Sequence, residues 1–368
     1  MKDSARQWLC AALSHRSLPD WPAEDDGLIA AAEDEGVLLL LEYRLQTHPQ
    51  AGTLPAPWLS SLHAAAREQA LMQMAMLAEQ RKVFDALRAA DSNFLVMKGG
   101  ALAHWLYTQP LLRQVTDLDI LLPDQQAVEN LAPVLSEIGY SLGIANPVAN
   151  ERAYQKPGGP YENFSVDAHW RLFNRALLKD SFSFDELNAE AKALPGCDGI
   201  KGLSPVHALF NAIGHRALAL PHRHLQGIQR ANGLRWLWDI HGLATSFDTA
   251  QWQRVVELAW QKQWSALIQE ALLRVQEEFG TLIPEPVLQT LALQAAKEPM
   301  QMSWFASLPR YQWQEFLASD SSWRGRWHWL GQRLWPDPEW VQARYGENEP
   351  LWKTWPRRLA AGIRRMIG

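Results

Sequence analysis

Cysteine is almost missing from this sequence. Cys10 and Cys197 are the only two, and their separation and flanks match neither a zinc knuckle nor a disulfide scaffold, so a reducing cytoplasm is the expected compartment. Long apolar runs are missing as well. Met1-Lys2-Asp3-Ser4 opens onto no signal-peptide run, and the longest apolar block nearby, Val37 to Leu41, is far too short to cross a bilayer. No transmembrane helix is expected further along, so the chain reads as soluble or, at most, attached to a membrane surface. Positive charge is not in excess: 35 Lys and Arg against 40 Asp and Glu leave −5 at pH 7. That balance gives no global case for nucleic-acid binding, although it leaves room for a local basic groove. Internal repeats and low-complexity tracts are also absent.

What is present describes a folded chain. Hydrophobic residues make up 47% and charged residues 20% of 368 positions, which excludes the composition of a disordered protein. The length suits two domains, or one catalytic domain with helical additions. Nineteen Trp residues, many of them after position 300, read as core or interface anchors because of their large apolar area.

Residues 1–90 read as helical. A long helix is expected from Trp58 to Ala90, rich in Ala, Leu, Met, Glu, Gln and Arg and free of internal Gly or Pro. The character changes at Asn93. Phe94-Leu95-Val96-Met97 is a short apolar strand, followed by Lys98-Gly99-Gly100 and a helical run from Ala101 to Tyr107. A second strand is expected over Leu118 to Leu122, then a helix from Gln125 to Ile138 ended by Gly139. An antiparallel pair follows, turning at Pro157-Gly158-Gly159-Pro160 and returning from Asn163 to Trp170. Alternation on that return strand puts Ser165, Asp167 and His169 on one face, with Val166 and Ala168 on the other. Past Leu172 the sequence returns to helices. The expected organisation is a helical region over 1–90, a catalytic core over 91–180, a helical domain completing the cleft over 181–300 and a Trp-rich helical extension over 301–368.

The informative segment runs from Lys98-Gly99-Gly100 to Thr116-Asp117-Leu118-Asp119-Ile120. Two carboxylates one residue apart on a strand point the same way. Like charges so placed oppose one another's ionisation, a cost that a divalent cation removes. Magnesium prefers hard oxygen ligands and phosphate oxygens. With Asp167 on a nearby strand, three carboxylates are enough to hold two ions, one activating an acceptor hydroxyl and one stabilising a triphosphate. Gly99 and Gly100 would let backbone amides approach phosphate at a helix start. Lys98 and Arg113 are candidate phosphate cations, with a structural clamp as the alternative for Arg113, and His169, on the face of Asp167, is a candidate contact to phosphate or acceptor with a packed histidine as its alternative.

These residues carry a resemblance. Strand-Gly-Gly-helix, Asp117-Leu118-Asp119 and a later Asp resemble the DNA polymerase beta-type nucleotidyltransferase superfamily. More narrowly, Lys98-Gly99, Arg113, the Asp pair and Asp167-Ala168-His169-Trp170 resemble a branch of uncharacterised bacterial nucleotidyltransferases. The segment Trp236-Leu237-Trp238-Asp239 is similar to that branch's helical region. The resemblance is specific over about 93–172 and extends to about 245. It implies an α+β fold: a small mixed sheet flanked by helices, embedded between N-terminal and C-terminal helical regions. It also implies that Asp117, Asp119 and Asp167 coordinate magnesium, with manganese as an alternative. The implied reaction moves a nucleoside monophosphate from an NTP such as ATP to an acceptor, with pyrophosphate released. Asp167 would also assist deprotonation of the acceptor. Two departures stand out. The superfamily's usual Gly-Ser and short gap are replaced by Gly-Gly and sixteen residues before Asp117, and Thr116 stands where Ser is common.

The acceptor is not legible. A toxin-like transferase acting on tRNA fits the motifs, with the acidic net charge against it, and an inactive nucleotide-binding protein is the non-enzymatic alternative. His207, His215, His222 and His224 match no compact zinc motif and read as core or solvated residues. Asp239 reads as a buried helix-anchoring acceptor, with a place near the active-site mouth as the alternative. Trp352 and Trp355 among Lys353, Arg357, Arg358, Arg364 and Arg365 form a basic amphipathic segment, suited to a docked terminal helix or to peripheral contact with an anionic membrane or RNA. Oligomeric state is open.

Overall fold

A computed structural model describes residues 3–21, 26–143, 149–222 and 232–334. Four helices open the chain: α1 (Asp3–Leu13), α2 (Asp26–Asp34), α3 (Leu38–Leu45) and α4 (Ala56–Ala89). The long α4 begins two residues before the expected Trp58. Its Pro57 lies in the first turn, where no intrahelical N–H is lost.

The sheet region then alternates strands and helices: β1 (Leu95–Val96), α5 (Lys98–Leu106), β2 (Leu118–Leu121), α6 (Gln125–Glu129), α7 (Leu131–Glu137), β3 (Ser141–Leu142), β4 (Glu151–Gly159) and β5 (Glu162–His169). The single helix expected from Gln125 to Ile138 is broken at Asn130. Pro133 explains the break, because it has no N–H to give the Glu129 carbonyl. Asp124 caps α6 by accepting from the Ala127 amide at 2.8 Å.

The remaining elements are α8 (Phe184–Ala189), β6 (Lys192–Ala193), β7 (Lys201–Gly202), α9 (Pro205–Ala219), α10 (Leu234–Ser246), α11 (Thr249–Lys262), α12 (Ser265–Phe279), α13 (Glu285–Ala295), α14 (Leu308–Ser319) and α15 (Trp323–Leu334). The return to helices after Leu172 is therefore interrupted by two strands, each too short to show alternation. The helical stretch 249–279 divides at Gln263, whose left-handed φ of 59° ends α11. Among the described residues no helix is long and apolar enough to cross a membrane.

The fold is α+β, with one mixed sheet in the order β3-β4-β5-β2-β1-β7-β6. β2 lies parallel to β5 and antiparallel to β1, and β7 joins β1 in parallel. Alternation divides the strands between two cores. Val96, Leu118, Ile120, Leu122, Val166 and Ala168 face a smaller core shared with the end of α4 and with α6 and α7. Leu95, Met97 and Leu121 face the larger core, which also gathers α1–α3 and α9–α13. Helices from before and after the sheet thus cover the same side. Asp119 alternates with Leu118 and Ile120, so its carboxylate belongs to that helix-covered face.

Candidate active site

Parallel pairing of β2 and β5 makes Asp119 and Asp167 direct Cα partners. Asp117, two residues before Asp119, shares their face. One carboxylate oxygen from each of the three lies within 4.8 Å of the other two, in the only cluster of three or more potential metal ligands among the described residues. Short polar contacts orient them. Thr116 Oγ1 donates to Asp117 Oδ1 at 3.3 Å, and Ser165 Oγ donates to Asp167 Oδ1 at 3.0 Å. Asp119 Oδ1 receives Lys98 Nζ at 2.5 Å and meets His169 Nε2 at 3.0 Å. His169 Nδ1 lies 3.2 Å from Glu151 Oε2, so the imidazole sits between two carboxylates and is hydrogen-bonded to Asp119.

The electrostatics separate the three acids. Burial opposes ionisation of Asp119, but the Lys98 charge and the contacts with His169 overcome it and hold this carboxyl well below the usual range. Asp117 is raised by burial and then by the Asp119 charge. Burial, followed by repulsion from Asp119 and Asp117, pushes Asp167 up to about 7. Such a concentration of negative charge fits a divalent cation with hard oxygen ligands.

The turn between β1 and α5 delivers Lys98. Its φ of 48° is left-handed, an uncommon and strained conformation for a residue with a side chain, at the first position of α5. The following glycines sit in close packing. A Cβ on Gly99 would come within 3.1 Å of Arg113 Nη1, and one on Gly100 within 3.1 Å of both Leu118 Cδ1 and Val96 Cγ1. Arg113 lines the same cavity as Asp117 and Asp119 and is held there by Asp239. Its Nε donates to Asp239 Oδ1 and Oδ2 at 3.0 Å and its Nη2 to Oδ2 at 2.7 Å, while Tyr107 donates to Asp239 Oδ1 at 2.8 Å. Its Nη1 donates to the Gln114 carbonyl at 2.5 Å. This buried pair clamps α10 to the segment that leads into β2.

The N-terminal helices hold the same segment. Gln73 of α4 bonds both sides of the Val115 peptide, accepting from its amide at 2.7 Å and donating to its carbonyl at 3.2 Å. The Glu35 carboxylate accepts the Leu234 amide at 2.5 Å, at the start of α10. Gly233 at that N-cap has no side chain to do this.

Between the sheet and helices α9 and α10 lies a cavity lined by Lys98, Asp117 and Asp119, and also by Asn211, His215, Arg235 and Trp236. Arg235 and Asn211 belong to no motif in the sequence and enter the site only through the fold. Arg235 Nη1 donates to the Gln114 carbonyl at 3.3 Å, and no carboxylate lies within ion-pair distance among the described residues. Burial, then the neighbouring Arg113 charge, brings its guanidinium down to about 10, so it stays cationic at neutral pH. A sequence signal exists. Arg235 and Asp239, and Asn211 and His215, are polar pairs four residues apart on largely apolar helices, and such pairs share a helix face.

The other histidines form no metal cluster among the described residues. His207 Nδ1 lies 3.0 Å from Ser204 Oγ near the start of α9, and His222 stacks edge-on with Tyr311 at 5.9 Å. His224 and the basic segment from Trp352 to Ile367 lie outside the described residues.

A family model described as an uncharacterised nucleotidyltransferase matches residues 22–280. No curated protein matches the chain.

Proposed function

The chain belongs to the uncharacterised nucleotidyltransferase family, and on that premise we propose that it transfers a nucleoside monophosphate from an NTP to a hydroxyl or phosphate-bearing acceptor, with release of pyrophosphate. The observation that carries this reading is the convergence of Asp117, Asp119 and Asp167 oxygens within 4.8 Å of one another, with Asp117 and Asp119 on the wall of a cavity. The donor set suits a hard divalent cation: three carboxylates, two of them with raised proton affinity. Magnesium, or manganese in its place, would be held by these three residues and would supply charge neutralisation at the triphosphate and activation of the acceptor oxygen.

The chain's own groups divide the remaining work. In the transfer step the acceptor hydroxyl oxygen forms a bond to the α-phosphorus. The bond from that phosphorus to the bridging oxygen breaks, and pyrophosphate leaves with the electron pair. Asp167, on the strand beside Asp119, takes the hydroxyl proton. Ser165 holds the carboxylate in place by donating to it. Lys98 balances Asp119, and Arg235 offers fork-shaped donors to phosphate oxygens. His169 fixes the orientation of Asp119 from behind, backed by Glu151. Arg113 acts as a clamp, keeping α10 and therefore Arg235 against the acidic face. Gly99 and Gly100 serve the site by allowing the β1–α5 turn to pack closely.

The test is magnesium-dependent pyrophosphate release from NTPs in the presence of cell extract, with Asp119→Asn as the comparison. Release by the wild type that the variant lacks supports nucleotidyl transfer. No release by a folded, nucleotide-binding wild type, or equal release by both proteins, overturns it.

A further inference from the structure

Arg235 stands in the first turn of α10, where the helix dipole disfavours a cation. Its place there is set by the N-terminal helices, at the corner between α2 and α3. Gly36 closes α2 with a left-handed φ of 67°. Its amide donates to the Glu33 carbonyl and the Val37 amide to the Ala32 carbonyl, both at 2.9 Å, the ordinary glycine-ended stop of a helix. That much would serve any helix. The contact on the outer side of the corner is particular to this fold. A Cβ on Gly36 would lie 3.0 Å from Arg235 Cδ, 3.1 Å from Arg235 Nη1 and 2.9 Å from Gln114 Oε1, all inside ordinary contact distance. Any side chain at this position therefore displaces the Arg235 stem or the Gln114 amide.

Glu35 holds the main chain of the same residue. Its carbonyl accepts the Arg235 amide at 3.3 Å, and its carboxylate accepts the preceding Leu234 amide at 2.5 Å. Both belong to the amides that a helix start leaves without intrahelical partners, and Gly233 at the N-cap offers no side chain for them. The Arg235 guanidinium donates through Nη1 to the Gln114 carbonyl at 3.3 Å, on the cavity wall it shares with Lys98, Asp117 and Asp119. The Arg113–Asp239 pair grips α10 one turn further on.

We propose that the Glu35–Gly36 corner is a positioning element for Arg235: Glu35 fixes the first turn of α10, and Gly36 leaves the space in which the guanidinium reaches the phosphates. The proposal rests on the nucleotidyl-transfer reading, in which Arg235 meets phosphate oxygens, and deepens it. The N-terminal helices then set the affinity of the site for a triphosphate without touching it. A purely structural corner behaves differently. Its loss lowers stability and leaves phosphate affinity alone, or lowers that affinity whether or not Arg235 is present.

A double-mutant cycle on the full chain separates the two. Inorganic tripolyphosphate with magnesium is the calorimetric probe, for wild type, Gly36→Ala, Arg235→Met and the double variant. Arg235→Met is expected to weaken binding about tenfold, the effect of a lost hydrogen bond to a charged group. Gly36→Ala is expected to weaken it about fivefold when Arg235 is present and by less than about twofold beside Arg235→Met, as coupling between contacting residues requires. Glu35 supplies a second arm, which decides alone if Gly36→Ala does not fold. Glu35→Ala should weaken binding about fivefold, again only with Arg235 present, while Glu35→Gln, whose amide oxygen still accepts the Leu234 N–H, stays within about twofold of wild type. Wild-type affinity in folded Gly36→Ala, equal losses with and without Arg235, or equal losses in Glu35→Gln and Glu35→Ala overturn the proposal. If Arg235→Met binds as tightly as wild type, the proposal fails and nucleotidyl transfer stands on the acidic cluster. If the wild type binds neither tripolyphosphate nor any NTP, both fail.

Discussion

Asp119 and Asp167 are Cα partners on adjacent parallel strands, so their side chains leave the same face of the sheet side by side. With Asp117 they form a cluster whose oxygens lie within 4.8 Å, a geometry that favours cation binding and opposes folding without one. Asp167→Asn is expected to remove that repulsion while removing a metal ligand. The unfolding midpoint of the metal-free variant should exceed that of wild type by about a few degrees at pH 8. Transfer activity should fall by at least about a hundredfold. Thermal melts in chelator, paired with turnover assays, check both. A destabilised variant that keeps its activity contradicts the role given to Asp167.

The pH dependence follows from the same group. Asp167 is pushed up to about 7 when folded, against about 3.9 for an unperturbed Asp. Between those values the native state binds the proton that the unfolded state has already lost. Stability from this group is therefore greatest at the acid end and is lost as pH rises through about 7. Metal competes with the same proton, so magnesium affinity should rise with pH across this window and level off above it. Calorimetry in buffers of different ionisation enthalpy should detect proton release on metal binding at pH 6 and little at pH 8.5. Release that does not change between these pH values rules this out.

Removing one partner of the Arg113–Asp239 pair should leave a buried charge without compensation. Asp239→Ala is expected to cost about 3–5 kcal/mol of stability, because Tyr107 and Arg113 both lose their acceptor. The double variant Arg113→Met/Asp239→Leu should recover much of that loss. Denaturant titrations of the singles and the double measure it, and strictly additive losses contradict the coupling.

Arg235→Met should leave the fold intact and weaken the enzyme. A hydrogen bond to a charged group contributes about 1.5–3 kcal/mol, which is roughly a ten- to hundredfold loss in kcat/KM. Arg235→Lys should recover part of it by keeping the charge without the fork. Steady-state kinetics against NTP concentration separate the variants, and unchanged kinetics in Arg235→Met would remove Arg235 from the site.

Much of the sheet and its acids could be read directly from the sequence, because each rests on a local pattern. Alternation over Asn163 to Trp170 sets Asp167 beside His169, and the single-residue spacing of Asp117 and Asp119 sets both on one face. The short strands β6 and β7 could not be read. Two residues carry no periodicity, and their strand character comes from pairing with each other and with β1. Arg113 shows the limit for side chains. Its type suited either a phosphate or a clamp, and the choice depends on Asp239, 126 positions away in sequence. Arg235 and Asn211 went unmarked because their meaning comes from the cavity they line, which forms only when α9 and α10 pack over the acidic face.

The most direct test supplies magnesium, cell extract and NTP radiolabelled at either the α- or the γ-phosphate, with wild type and Asp119→Asn compared. Nucleotidyl transfer predicts that α-label enters an acceptor fraction with the wild type alone, while γ-label appears only in pyrophosphate. Entry of γ-label into the acceptor, or α-label transferred equally well by folded Asp119→Asn, contradicts it.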